Sequence, residues 1–342
     1  MGLTVIDPGI LTTVQDQGRS GYMDSGFSPS GALDGFSSRL ANFLIGNSPG
    51  EAVLEMTLRG ASVVFDGPAV IAITGADMTP LLNGFPAAMN KAFAVIRGDI
   101  LHTGFALAGV RSYLAVSGGF DIEPVLGSRS TNLRVRAGGF EGRKLETKDH
   151  IPFREIVREL PGMERRCFDP LAGKAGGDTA FGKVSAGTAA VSIRAAYAKD
   201  DPLVLRVVEG RYAGRLGEAG IHTFYHSLYT VGAESDRMGV RLEGPAAALL
   251  RGGDIVSSGA AAGSVQIPGS GKPIVLLNDR QTTGGYVTAG AVITGDLWRL
   301  AQAPAGSAIR FEKIRAPAAE KIYVQTEREI ARLGRRFARR RV

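Results

Sequence analysis

The chain has 342 residues, which is enough for two domains, and 44% of them are apolar, which is enough for buried cores. The net charge of +7 does not indicate nucleic-acid binding, because residues 318–342 carry +5 of it and the rest of the chain is close to neutral. A single cysteine, Cys167, excludes an intrachain disulfide, and neither a signal peptide nor an apolar run of membrane-spanning length is apparent, so we expect a cytoplasmic protein without a nucleic-acid or membrane partner.

The first half of the sequence predicts one helix followed by short strands. Residues 1–33 are rich in Gly, Ser, Thr and Asp and are predicted to form ordered loop. Residues 34–46 predict a helix, because apolar side chains recur there at helical spacing and Asp34 can cap the first turn. Apolar runs between turn residues predict strands at 53–58, 62–65, 70–74, 93–96 and 112–117.

The second half repeats this alternation of short strands and turns. Strands are predicted at 203–208, 228–231, 240–243, 254–257, 264–267, 274–277 and 308–311. A helix is predicted at 295–302, and a basic helix is predicted at the C-terminus. His222 and His226 have the spacing of two metal ligands on a helix, but the aromatic segment 222–229 is predicted to be extended, so no metal site is predicted.

These elements predict a mainly β protein with two β-barrel or sandwich domains, a few short helices and a C-terminal helix. The first domain is predicted at 1–150 and the second at 203–315. Residues 151–202 show weak periodicity and are predicted to connect the two domains, and the basic helix is predicted at 316–342.

Five clusters of glycine and polar residues are the strongest functional signal. They lie at 12–22, 28–34, 127–131, 235–239 and 278–286. Glycine allows a close approach of the backbone to a ligand, while Asp, Arg, Gln and Thr supply donors and acceptors of both signs. Such loops suit a small molecule with a carboxylate or amide, although any single cluster could instead stabilise turns. The best candidate is the last cluster, from Asp279 to Tyr286.

Several of these motifs together resemble one known family. The segments TTVQDQGRSGYMDSGFSPSGALD, RLANFLIGN, VLEMTLRG, YLAVSGGFD, LGSRST, SDRMGVRLEGP, VQIPGSGKPIVLLNDRQTTGGY and GDLWRLAQ occur in matching order. They are similar to the biotin-dependent carboxyltransferase-like family, which includes the C subunit of bacterial 5-oxoprolinase, allophanate hydrolase subunit 2, the Kip-type regulators and part of urea carboxylase. The resemblance implies two cyclophilin-like β-barrel domains.

The resemblance also implies an activity and partners. It favours the C subunit of an ATP-dependent 5-oxoprolinase, which opens 5-oxo-L-proline to L-glutamate and is inactive without a smaller KipI-like B subunit and a LamB/YcsF-like A subunit. ATP is expected as a cofactor, bound with the partner, and no biotin is expected on this chain. Two alternatives stay open: carboxyl transfer to urea or a related amide with a biotin enzyme, and a non-catalytic KipA-like regulator that binds a kinase inhibitor.

The clusters supply the candidate site residues for such a reaction. Polarising an amide carbonyl needs positioned donors, and proton transfer needs a base. Arg280 and Arg237 are expected to hold a carboxylate or a developing oxyanion, and Asp279 or Asp236 is expected to accept a proton. The substrate-binding candidates are Gln15, Asp16, Ser30, Ser128, Gln266, Gln281, Thr282 and Tyr286. Of these, Gln15 and Asp16 are predicted to close a cleft from the other domain.

Overall fold

The computed structural model describes residues 1–168, 202–250 and 252–338. These residues form two compact units. The first unit comprises residues 1–19, 30–168 and 327–338, and the second comprises residues 20–29, 202–250 and 252–326. Within the described ranges, no helix combines the length and the apolar character needed to cross a membrane.

The first unit consists mainly of two antiparallel sheets. Its strands are β1 Gly2–Asp7, β2 Leu11–Gln15, β3 Val53–Thr57, β4 Ser62–Phe65, β5 Ala69–Asp77, β6 Leu81–Leu82, β7 Phe85–Pro86, β8 Ala92–Val95, β9 Ile100–His102, β10 Ala108–Val116 and β11 His150–Pro152. One sheet has the order β11-β1-β4-β9-β6-β7 and the other β2-β3-β10-β5-β8. Apolar side chains from both sheets form one core, which includes Leu3, Phe65, Ile71 and Leu114.

The helix α1, Gly35–Leu44, packs against β5 and β10 of this unit. Asp34 is its N-cap, because one carboxylate oxygen accepts the Ser37 N–H at 2.9 Å. At its C-terminal end, the buried guanidinium of Arg166 donates to the carbonyls of Phe43 and Leu44 at 3.4 and 3.3 Å. A cation at this end satisfies orphan carbonyls and suits the helix dipole. The predicted helix and its cap are therefore confirmed.

A loop of the first unit carries a perturbed carboxylate. Burial raises the pKa of Asp149, but the guanidinium of Arg143 at 2.7 Å and the N–H of Glu146 at 2.7 Å outweigh it, so the pKa lies below its usual value. The backbone carbonyl of Asp149 also accepts the N–H of Val5 in β1. Asp149 therefore connects the loop before β11 to the sheet.

The second unit contains a closed barrel. Its strands are β12 Leu203–Glu209, β13 Tyr229–Val231, β14 Gly239–Glu243, β15 Asp254–Gly259, β16 Ser264–Ile267, β17 Ile274–Leu276, β18 Thr283–Val292 and β19 Ala308–Lys313. The order β12-β19-β13-β14-β17-β16-β18 closes because β12 also pairs with β18, and β15 adds to β18 outside the closed ring. The mainly β fold with barrel-like units, predicted from the sequence, is confirmed.

Three further α-helices are described. They are α2 Gly217–His226, α3 Thr294–Ala301 and α4 Ala316–Ala338, whose residues from 327 onward count with the first unit. The ring of Phe224 in α2 stacks on Phe311 of β19 with centroids 4.4 Å apart. In α3, the fully buried carboxylate of Asp296 accepts the Arg206 side chain at 2.6 and 2.9 Å, which attaches the helix to β12.

Two local predictions were wrong. Residues 1–33 contain β1 and β2, whose polar neighbours obscured the alternating apolar side chains. Residues 222–226 of the segment predicted to be extended are helical instead, because His222 and His226 lie on α2 with their rings stacked 4.3 Å apart. Even so, the described part of the chain contains no group of three side chains suited to a metal ion.

The predicted connection at 151–202 is described only at its beginning and end. Strand β11 pairs with β1, so the first unit continues past residue 150. Residues 169–201 lie outside the described ranges, as do residues 339–342 of the predicted basic helix.

Candidate functional site

The second unit has a pocket of about 400 Å³ across four neighbouring barrel strands, β14, β17, β16 and β18. Four of the predicted site residues line it: Asp236, Gln266, Gln281 and Tyr286. The volume lies in the range that binds small molecules. The pocket is therefore the place in this unit where the sequence-predicted residues converge.

Two side-chain amides meet over one glycine of this pocket. Gln266 projects from β16 and is 3% exposed, while Gln281 lies in the turn before β18. A Cβ atom placed on Gly284 would lie 2.4 Å from Nε2 of Gln266 and 3.7 Å from Nε2 of Gln281, so the two nitrogens lie within about 6 Å of each other. Glycine at 284 is what allows both amides to approach the strand.

The rim of the pocket is charged and mostly exposed. Asp236 forms a tight turn, because Oδ1 accepts the N–H groups of Met238 and Gly239 at 2.8 and 3.1 Å. Lys272 pairs with Glu243 across the rim. Tyr286 in β18 is 41% exposed, so its phenol is accessible to a ligand.

Asp279 and Arg237 form a buried ion pair, and each lies close in sequence to a residue that lines the pocket. They are 4% and 5% exposed, and Nε and Nη2 of the guanidinium donate to both carboxylate oxygens at 2.8 and 3.2 Å. The Asp279 N–H also donates to the Arg237 carbonyl at 3.0 Å. This bidentate pair joins the loop before β14 to the loop before β18.

Arg280 is bound by backbone groups. Its Nε donates to the Ala260 carbonyl at 2.7 Å and its Nη1 to the Leu277 carbonyl at 3.2 Å, while Nη2 contacts the Met23 sulfur at 3.6 Å. Burial lowers the pKa of Arg280 from its usual value. Its own carbonyl accepts the Ser28 hydroxyl at 2.5 Å. Arg280 therefore fixes the loop conformation and attaches residues 20–29 to the second unit.

Thr282 is half-buried, and its carbonyl accepts the Ala260 N–H at 2.9 Å. It does not line the pocket described above. Of the eight predicted site residues in this unit, four therefore lie in the loops before β14 and β18 and not in the lining of the pocket: Arg237, Asp279, Arg280 and Thr282.

The other four predicted residues belong to the first unit. Asp16 is the centre of one loop cluster there, since Oδ1 accepts the Gly18 N–H at 2.7 Å and the hydroxyls of Ser128 and Ser130 at 2.6 and 2.5 Å. Its Oδ2 accepts the Arg129 N–H at 2.5 Å. The cluster at 127–131 is therefore ordered around one carboxylate, and Asp16 and Ser128 are hydrogen-bonded to each other.

Gln15 connects a second loop to the same region. Its Nε2 donates to Thr13 Oγ1 at 3.0 Å and to the Thr131 carbonyl at 3.1 Å, and its Oε1 accepts the Gly31 N–H at 3.1 Å. The adjacent Ser30 is buried and has a positive φ of 56°. The prediction that Gln15 and Asp16 close a cleft from the other domain stays a prediction.

Sequence reasoning missed several charged residues of the pocket, namely Glu234, Arg241, Glu243 and Lys272. Arg241 and Glu243 are the outward-facing residues of β14, which are exposed between buried neighbours. This alternation was visible in the sequence, but it indicates only a solvated strand face. The pocket depends on strand order, which a local pattern does not contain.

Comparisons with known proteins agree on one family. The family model described as carboxyltransferase domain, subdomain A and B, matches residues 25–313. The C subunit of 5-oxoprolinase from Escherichia coli K12 is 35% identical over 309 residues, which are 90% of each chain. The urea amidolyase of Lachancea kluyveri is 32% identical over 91% of this chain, but the match is only 17% of that protein.

A solved structure matches as well. The urea carboxylase of Kluyveromyces lactis superposes with a TM-score of 0.82 at 29% identity. The match covers 97% of this chain and 29% of that one, so the chain spans less than a third of the carboxylase.

Proposed function

Because the chain belongs to the family of carboxyltransferase domains with subdomains A and B, we propose that it is the C subunit of an ATP-dependent 5-oxoprolinase that converts 5-oxo-L-proline to L-glutamate. The observation that carries the proposal is the extent of the likeness to the C subunit of the Escherichia coli 5-oxoprolinase, which is 90% of both chains. Likeness to urea amidolyase is restricted to a small part of that larger protein.

The pocket of the second unit supports this substrate class. A lactam presents an N–H and a C=O on the same edge, and a carboxamide offers both an acceptor and two donors. Gln266 and Gln281 can therefore recognise both groups of the lactam from two directions. The substrate also carries a carboxylate, for which Lys272 and Arg241 on the rim are suitable partners.

The proposed chemistry is addition of water to the activated lactam carbonyl, followed by cleavage of the C–N bond and protonation of the nitrogen. Asp236 lines the pocket, and Oδ1 accepts both of its turn hydrogen bonds, so Oδ2 carries neither of them. Asp236 is therefore better placed than Asp279 to accept a proton. Asp279 remains a predicted base, but its salt bridge with Arg237 gives it a structural role that competes with this one. Arg280 is proposed to hold the loop rather than the substrate.

ATP does not fit this pocket. Its lining includes Glu234, Asp236 and Glu243 against Arg241 and Lys272, and a triphosphate requires a surplus of positive charge. We therefore assign no step of nucleotide chemistry to these residues. The nucleotide is proposed to bind with the two partner proteins, the KipI-like B subunit and the LamB/YcsF-like A subunit.

The test is reconstitution. We expect 5-oxoproline-dependent ATP hydrolysis and glutamate formation when this chain is mixed with its two partner proteins, and neither product when this chain is omitted. The Gln266→Ala variant should lower kcat/KM for 5-oxoproline by about 10- to 100-fold, because one buried lactam partner is lost. A stable complex that forms no glutamate would refute the proposal.

A second candidate is favoured by the structural likeness to urea carboxylase. In that case the chain would transfer a carboxyl group from an associated carboxybiotin protein to urea or a related amide. The same pocket would bind the acceptor amide. Bicarbonate- and biotin-dependent consumption of urea by the complex, without glutamate formation from 5-oxoproline, would support this candidate instead.

A further inference from the structure

Four large apolar side chains of the first unit are exposed on neighbouring segments of the chain. They are Ile10, Leu58, Phe105 and Leu107, with exposed fractions of 44%, 45%, 64% and 56%. Ile10 lies just before β2, Leu58 lies just after β3, and the other two lie between β9 and β10. These four residues are called the apolar patch.

Backbone contacts bring the segments of the apolar patch together. The Leu58 carbonyl accepts the N–H of Ala106 at 2.7 Å, which places Leu58 beside both patch residues of that segment. The next residue, Arg59, forms an isolated β-bridge with Phe105, and its carbonyl accepts the Ile10 N–H at 3.3 Å. The patch is therefore one continuous surface, and contiguous apolar surfaces of this kind mark interaction sites.

Leu58 lies in the apolar patch in a strained conformation. Its φ is 63°, in the left-handed region that is unfavourable for a residue with a Cβ atom. The backbone is held there from both sides, because the Leu58 N–H donates to the Val110 carbonyl at 2.8 Å and the Leu58 carbonyl accepts the Ala106 N–H. A glycine would adopt this φ without strain and would expose no apolar side chain. Leucine at this position is disfavoured in an isolated chain, and burial against another surface would offset that.

The ion pair beside the apolar patch is neutral overall. The guanidinium of Arg59 donates to both carboxylate oxygens of Asp7 at 2.5 and 3.1 Å. The same guanidinium lies 6.0 Å from the centroid of the Phe105 ring, so the pair adjoins the patch directly. This pair gives the patch no surplus charge that would attract an oppositely charged partner or repel a second copy. A surface of this kind can face itself across a twofold axis.

The area of the apolar patch fits the requirement of a dimer. With about 200 Å² for each large apolar residue, the four exposed fractions correspond to roughly 400 Å² per chain. A standard interface buries about 800 Å² on each partner, and about 56–65% of that area is apolar. The patch therefore supplies most of the apolar area that one side of such an interface needs, and polar residues such as Arg59 and Asp7 can form the rim.

We propose that the apolar patch is a self-association surface, against which a second copy of this chain packs its own patch around a twofold axis. Leu58 and Phe105 are the central contacts, and the Arg59–Asp7 pair belongs to the rim. The inference concerns assembly of this chain with itself. Its test needs neither substrate nor partner protein, so its outcome does not depend on the proposed function.

Sedimentation of the full chain over a range of about 1–200 μM tests the inference, because an interface of standard size that is stable enough to matter dissociates within or below that range. We expect a monomer–dimer equilibrium for the wild-type chain. Phe105→Ser should raise the dimer Kd by about 10-fold or more, because a central aromatic contact is lost. Leu58→Gly should also raise the Kd by about 10-fold, but the Tm at the lowest concentration should stay unchanged or rise, because the strain at this φ is relieved.

Phe85 is the matched control for the loss of an exposed aromatic ring. It is 75% exposed in β7 of the same unit and is not part of the apolar patch, so Phe85→Ser should keep the Kd within about twofold. A wild-type chain that stays monomeric up to about 200 μM would overturn the inference. So would a dimer whose Kd is unchanged in Leu58→Gly and Phe105→Ser, or one that Phe85→Ser weakens equally. If Phe105→Ser does not fold, Leu58→Gly decides.

Discussion

Gly284 in strand β18 offers the sharpest test of the pocket. A Cβ atom there would lie 2.4 Å from Nε2 of Gln266, a separation that real Cβ atoms do not show. Ordinary contact begins near 3.4 Å, so in Gly284→Ala the Gln266 amide must withdraw by about 1 Å. The φ of Gly284 is outside the left-handed range, so alanine adds no backbone strain.

The displaced amide should impair function more than stability. A misplacement of about 1 Å in a substrate-positioning group can cost about 100-fold in rate. The atom that must move is the end of a flexible side chain, so the loss in the free energy of unfolding should be at most about 1–3 kcal/mol. We therefore expect Gly284→Ala to lower kcat/KM for 5-oxoproline by about 10- to 100-fold in a folded complex.

The neighbouring glycine is the matched control. A Cβ atom at Gly285 would meet the Ile255 carbonyl oxygen at 3.4 Å and the Ser257 hydroxyl at 3.5 Å, which are ordinary contacts. Gly285→Ala should therefore keep kcat/KM within about threefold. The assay is glutamate formation by the reconstituted complex, with urea unfolding of each variant in parallel. Equal activities for the two alanine variants would refute the assignment of Gln266 to substrate binding.

Three further predictions concern hydrogen-bonded polar groups. Asp279→Asn removes the buried negative charge that accepts two hydrogen bonds from the Arg237 guanidinium and should lower the free energy of unfolding by about 3–5 kcal/mol in urea titration, whereas unchanged stability with lost turnover would support the catalytic role instead. Tyr113→Phe leaves the buried Glu55 carboxylate without its phenol donor and should cost about 1–3 kcal/mol, and an unchanged Tm would contradict this. Because the pKa of Asp149 is lowered in the folded protein, its charged form stabilises the fold above the unfolded pKa of about 3.9, and this stability is lost as pH falls through the lower folded pKa. Asp149→Asn should therefore flatten the acid side of the Tm–pH curve below about pH 4. An unchanged slope would contradict this.

The local patterns that predicted correct elements share a physical basis. Helix α1 combines helical apolar spacing with a capping carboxylate three residues before the N–H that it accepts, and both signals are local. Strands such as Ser62–Phe65 and Ser264–Ile267 were predicted at their observed bounds, because turn residues flank short apolar runs. The polar clusters were visible for the same reason, since glycine and polar residues are concentrated in short segments.

Other elements were misjudged where local pattern and tertiary structure disagree. Strand β18 has the sequence TGGYVTAGAV, whose glycines locally indicate turns. In the structure this segment is a strand that pairs with β12, β15 and β16. Residues 222–226 of helix α2 were predicted to be extended because aromatic residues favour strands, but they are helical, and Phe224 stacks on Phe311 of the distant strand β19. Packing against a distant strand overrides an intrinsic preference that is worth less than about 1 kcal/mol per residue.

By itself the sequence determined the mainly β class, the capped helix, the family and the set of polar loops. Only the tertiary structure decided which of those polar residues are available to a ligand. Arg237 and Asp279 are distant in sequence and neutralise each other when buried, and Arg280 is bound by the carbonyl of Ala260 in another loop and that of Leu277 in its own. Gln266 and Gln281 line the pocket of the second unit, because the residues that surround a side chain depend on strand order and loop closure, which no local pattern encodes.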